Sequence, residues 1–169
     1  MLLIITVLFP IVIFPLSGID TTRIPDVLFY YSPNRLVELL QSYTAAERSA
    51  YYLGAFLIDV LYPLAYSKLL AGLLKNLLNK RIAKQSSWNY LCLLPFAAAF
   101  FDLLENATVS ILLSSIGQPS YTLATAAALF TPLKWGLVFI NILLIIILFV
   151  INMFIMRTKG EFTKDNNKN

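Results

Sequence analysis

The segment from Ile140 to Ile155 is almost entirely Leu, Ile, Val and Phe, and no charged residue occurs between Lys134 and Arg157. A run of this length and polarity points to one environment, because crossing the hydrocarbon core of a bilayer takes about 20 predominantly apolar residues. Lipid offers backbone amides no partner, so such a segment must satisfy its own hydrogen bonds as a helix. The rest of the chain agrees. Of its 169 residues 59% are hydrophobic and only 13% charged, with a mean hydropathy of +0.74, whereas a soluble domain carries roughly 25% charged residues.

Apolar periodicity and length place four membrane spans, at residues 2–18, 50–74, 88–115 and 131–156. The reading is an all-α integral membrane protein. A single four-helix transmembrane bundle covers 1–157, and a polar, disordered cytoplasmic tail covers 158–169. The first span contains Pro10 and Pro15 and lacks the basic flank and small-residue cleavage site of a signal peptide, so it is expected to be retained. Between spans one and two, residues 20–49 form an outer loop. Within it, Ser32 and Pro33 read as an N-cap and first helical residue, opening a short surface helix to Gln41. Thr44 and Glu47 have capping-box spacing, starting the second long helix near Ala45. Thr131 and Pro132 read as a kink or as a fresh helix start.

Charge distribution sets the orientation. The connection between spans two and three carries Lys75, Lys80, Arg81 and Lys84 with no acid, and the tail carries Arg157, Lys159, Lys164 and Lys168. The positive-inside rule then puts both termini in the cytoplasm and the 20–49 loop outside. The formal net charge of +4 is thereby assigned to topology and anionic lipid, not to nucleic acid. Partners follow from the same reasoning: membrane lipids, a small amphiphilic ligand, and a further copy or another membrane protein.

Two absences restrict the chemistry. There is no histidine, which removes the commonest general base and metal ligand. The single Cys92 excludes an internal disulfide or a CxxC pair. Neither a bound metal nor another cofactor is expected, and any catalysis rests on carboxylates, Lys, Tyr, Ser or Thr.

The candidate site is the set of ionisable residues inside the spans: Asp59, Asp102, Glu105 and Lys134. Each costs roughly 2.5–3.5 kcal/mol to insert, so each needs a partner, a cavity or a function. Helical spacing brings them towards one another. Tyr52, Ala55, Asp59, Tyr62 and Tyr66 fall within about 80° of arc on the second span. Asp102, Glu105 and Asn106 share a face of the third. Lys134, Asn141 and Asn152 form a polar line on the fourth, within about 20°. Counting from Tyr51 at about 1.5 Å per residue puts Asp59 about 12 Å below the outer surface.

The expected arrangement is an acidic pocket opening to the outer side, with Arg23, Arg48, Tyr30, Tyr31 and Tyr43 near its mouth. Asp59, Tyr62, Tyr66, Asp102, Glu105, Asn106 and Lys134 are the ligand-binding candidates. In an enzyme, Asp59, Asp102 and Glu105 would supply acid–base chemistry. The same three could alternatively hold Mg²⁺, although no phosphate-binding Gly loop accompanies them.

This layout of four spans, a long outer first connection and acids in spans two and three resembles the emopamil-binding and sigma-2 receptor family. The likeness is architectural, and the histidine used by that family's isomerases is absent here. Other readings of the same acids are proton- or cation-coupled transport by an oligomer, since carboxylates at depth are usual in ion pathways, and a non-catalytic subunit of a larger membrane complex. A buried Asp–Lys–Tyr network that only locks the helices together is the alternative without a ligand.

Overall fold

A computed structural model describes residues 23–79 and 87–166. The expected first span at 2–18 lies outside the described residues, as do Lys80, Arg81, Lys84 and Lys168. Among the described residues there are no strands. The elements are a 3₁₀ turn at Pro25–Val27, then α1 (Pro33–Gln41), α2 (Ala45–Asn79), a 3₁₀ segment at Ser87–Leu93, α3 (Leu94–Ser114) and α4 (Tyr121–Asn166). Three helices are long and apolar enough to cross a membrane, at Ala45–Asn79, Trp88–Ser114 and Tyr121–Ile155.

Local chemistry explains most boundaries. The Ser32 hydroxyl accepts from the Arg35 amide at 3.3 Å and Pro33 opens α1, as its missing N–H allows. At the start of α2 the Thr44 hydroxyl accepts from the Glu47 amide at 3.2 Å, while the Glu47 carboxylate accepts from the Thr44 amide at 2.7 Å. That is the reciprocal capping box.

Three boundaries differ from the sequence reading. The third span does not begin as an α-helix at 88: the chain is 3₁₀ over Ser87–Leu93, and the α-helix starts beside Pro95, whose ring has no amide to donate and disfavours α geometry before it. The fourth helix starts at Tyr121, not at 131, capped by the Ser120 hydroxyl, and it runs through Pro132 without a break. Beside that proline the Thr131 hydroxyl bonds the Ala127 carbonyl at 3.0 Å, and proline within a spanning helix is tolerated where neighbouring groups cover the freed backbone. α4 also continues to Asn166, through the stretch read as a disordered tail from 158.

Cross-helix contacts fix the directions. Thr131 meets Glu105 and Lys134 meets Asp102, so α3 and α4 are antiparallel. The Asn152 amide donates to the Leu77 carbonyl at 3.2 Å, so α2 and α4 run parallel. One apolar core joins Leu36 and Leu40 of α1 to Val109 and Leu112 of α3 and to Ala124 and Ala127 of α4. The alanines let helices approach closely, as packing in lipid requires. Along α4 the exposed side chains are Ile142, Leu143, Ile146, Phe149 and Phe154, suited to acyl chains.

The link from the segment before α1 into α2 is held by Arg23, which pairs with Glu47 at 2.6 Å and lies over the Tyr43 ring. The Tyr43 hydroxyl donates to the Arg23 carbonyl, and burial pushes that phenol from its ordinary 10 up to about 12. Because the folded state holds the proton more tightly than the unfolded chain, its contribution is complete below pH 10 and falls away as pH climbs towards 12. The Tyr43→Phe variant should lose that part of the alkaline destabilisation in a thermal melt followed against pH. Separately, Thr44→Ala should cost about 1 kcal/mol through its lost cap, and Thr44→Ser should restore it.

Candidate ligand-binding site

The site is built where a fragment of irregular chain meets two antiparallel helices. The Lys134 ammonium from α4 lies 3.0 Å from Asp102 Oδ1 and 2.8 Å from Glu105 Oε2, both on α3. It also contacts the Asp26 carboxylate from the 3₁₀ turn, and Asp26's carbonyl oxygen at 3.2 Å. The Lys134 side chain is 4% exposed, Glu105 0% and Asp26 17%, so the edge of the cluster towards Asp26 is the more accessible one.

Hydroxyls complete the arrangement. Tyr31 donates to Glu105 Oε1 at 2.8 Å, and Thr131 Oγ1 lies 2.6 Å from the same oxygen. Thr131 has one proton to share between Glu105 and the Ala127 carbonyl. Burial first, then the negative charge of Glu105, holds the Tyr31 phenol far above its ordinary value, keeping it a donor. On the other side of the ammonium the Tyr66 hydroxyl donates to Asp102 Oδ2 at 3.2 Å. Every oxygen of Asp102 and Glu105 thus faces a hydroxyl or the ammonium, which is what makes burial of two carboxyls tolerable.

Of the residues expected from sequence, Asp102, Glu105, Lys134 and Tyr66 come into direct contact. Tyr62 packs edge-on against Tyr66, ring centres 5.3 Å apart. Asp59 is buried on α2 and within electrostatic reach of Asp26, Asp102, Glu105 and Lys134. Asn106 is buried as well, but neither atom of its amide has a hydrogen-bond partner, and it takes no part in the ion cluster. The side chain of Ala55 lies outside the described set.

Sequence reasoning overlooked Asp26 and Thr131. Asp26 sits in a loop of mixed charge with nothing to distinguish it from Asp20, and Thr131 was read only as a helix boundary beside Pro132. Tyr31 was placed at the mouth and is instead buried against Glu105. Tyr30 is exposed, and Arg48 donates to the Tyr43 carbonyl at 3.2 Å, serving the α1–α2 link.

Beneath the cluster, between α2 and α4, lies a cavity of about 280 Å³. Asp26, Asp102 and Lys134 form one end of it, and Tyr62 and Tyr66 stand beside them. Leu70, Val138 and Ile142 line the other end. From Lys134 to Ile142 along the helix is about 12 Å at 1.5 Å per residue. Oxygens of Asp26, Asp102 and Glu105 lie within 4.8 Å of one another, close enough to share a metal ion. The ammonium of Lys134 already sits at their point of convergence, so a divalent ion there would have to displace it.

Comparison with protein-family models, curated proteins and solved structures finds no match.

Charge balance, not packing volume, should dominate the response to mutation. Lys134→Met leaves three carboxyls facing one another without their cation and should cost about 3–5 kcal/mol. The double variant Lys134→Met/Glu105→Gln should regain part of that loss. Equilibrium unfolding in mixed micelles measures both; equal instability of the two would show that the lysine acts through its packing.

Proposed function

We propose that this is a polytopic membrane protein whose acidic pocket binds a small amphiphile, with the polar head at the carboxylates and the apolar part along α2 and α4. The observation that carries the reading is the two-ended cavity: one end is an ion cluster, the other Leu70, Val138 and Ile142. Ligand sites usually combine apolar walls with a few convergent polar groups in this way. Three carboxyls (Asp26, Asp102 and Glu105) stand around one ammonium, and Asp59 lies buried on the neighbouring helix. The imbalance favours a cationic or hydroxylated head over an anionic one, and Tyr62 and Tyr66 offer ring faces to a cation.

In this reading residues 2–18 supply a fourth span, α1 lies on the outer surface, and both termini face the cytoplasm. Tyr66 and Lys134 position the head group, and Asp26 and Asp102, which line the cavity, recognise it. Were a bond made or broken there, Asp59, Asp102 and Glu105 would exchange the proton. A second reading is proton- or cation-coupled transport by an oligomer. It is favoured by buried polar atoms without hydrogen bonds, the Asn106 amide, Asn141 Oδ1 and the Tyr51 hydroxyl, which extend the polar character of the bundle beyond the cluster.

Native mass spectrometry of protein purified in mild detergent tests the proposal. The expected result is a monomer carrying a defined adduct that Asp26→Asn and Asp102→Asn lose and the surface variant Glu38→Gln keeps. A ligand-free oligomer, in which those substitutions alter only assembly, would overturn it in favour of the second reading.

A further inference from the structure

The geometry points to a bilayer route for the ligand: we infer that the pocket is filled laterally, by a lipid with an ammonium-bearing head, and is sealed on the aqueous side by the strap Ile24–Tyr31. This inference rests on the ligand-binding reading and names both the class of ligand and the side from which it arrives.

The strap is short irregular chain pinned at four points. Asp26 contacts Lys134, and Tyr31 donates to Glu105 at 2.8 Å. The indole of Trp135 donates to the Leu28 carbonyl at 3.1 Å, and the Tyr43 hydroxyl holds the Arg23 carbonyl next to Ile24. Ile24 is itself buried in the core formed with Leu36 and Leu40 of α1. The strap therefore crosses the ion cluster on the side where α1 and the ends of α3 and α4 pack together. Asp26 of the strap and Trp135, to which the strap is pinned, line the polar end of the cavity, so the strap roofs that end, and the cavity runs from there towards Ile142, which is itself exposed. A ligand arriving from water has to pass under a pinned strap, whereas one arriving from the bilayer does not.

The strap's other face agrees. Phe29 stacks on Phe139 and packs against Trp135, with ring centres 5.9 and 4.7 Å apart. Val27 and Phe29 are exposed, and Tyr30 is 70% exposed. Aromatic rings exposed on one side of a spanning helix belong at the lipid–water boundary. The strap thus seals the cluster with a surface that itself favours lipid contact.

The occupant follows from chemistry along the cavity. Excess carboxylate at one end selects a positive head, and the apolar stretch beyond Tyr66 accepts part of a chain. Lipid lying alongside α2 and α4 already presents its chains to these helices, so no desolvated crossing from water is needed.

The experiment uses the full-length chain, with Cys92→Ser to give a cysteine-free background, in vesicles containing phosphatidylethanolamine with a photoactivatable group in its acyl chain. Labelled positions are mapped by mass spectrometry. The expected result is enrichment at Leu70 and Val138 over the lipid-facing Leu143, Ile146 and Phe149, falling at least fivefold in Val138→Trp. Cysteines replacing Phe29 and Phe139, joined by a short bis-maleimide, lock the strap; labelling should survive the lock. Loss of labelling on locking would show that the ligand passes under the strap and would overturn lateral access. Uniform labelling of the lipid-facing positions, with none in the cavity, would equally overturn it, as when residues 2–16 fill the groove. If the adduct in native mass spectrometry persists through either failure, the pocket stands and only its route is wrong. If the adduct is absent too, the ligand-binding reading fails with it.

Discussion

Lys134 draws together three parts of the chain that have no other reason to meet at one point. Its ammonium is reached by carboxylates from the turn at Asp26 and from Asp102 and Glu105 one helical turn apart on α3. In water such pairs contribute little, but removed from solvent each partner becomes a condition for burying the others. The consequences spread outwards from there. The lysine fixes the register of α3 against α4, Tyr66 ties α2 to Asp102, and Tyr31 with Asp26 brings the segment before α1 down onto the helices. In lipid the hydrophobic effect does not draw helices together, so directional contacts of this kind carry a larger share of the specificity.

Close packing supplies the rest. The α1 leucines rest on small side chains of α4, and among the described residues the buried polar atoms without a hydrogen bond are Glu105 Oε2, which has only its ion pair with Lys134, and atoms of Tyr51, Asn106 and Asn141 outside the cluster. The molecule therefore concentrates its polar interactions at one level while the flanking layers pack by shape.

Much of this was legible in the sequence, for identifiable reasons. A long helix in lipid has to show its apolar residues continuously, so α2, the third span and the lower part of α4 could be read from composition alone. The faces carrying Asp59, Asp102, Glu105 and Lys134 followed from helical periodicity, because 100° per residue is a fixed rule. What periodicity cannot supply is the path of irregular chain. Asp26 and Tyr31 lie outside any repeat, and their approach to Lys134 and Glu105 spans 108 and 74 positions respectively. The start of α4 was misplaced for a related reason: Pro132 is a local break signal, and the tertiary contacts of Ala124, Ala127 and Thr131 override it.

Pro132 also has a mechanical meaning. A proline removes the amide that would bond the carbonyl four residues earlier, leaving α4 more compliant in bending just above Lys134. Pro63 does the same to α2, four residues past Asp59. The single Thr131 proton is shared between Glu105 and the Ala127 carbonyl, next to the proline. Two soft joints thus flank one rigid ionic node, so that the lower halves of α2 and α4 can splay or converge about the site while its charges hold their positions.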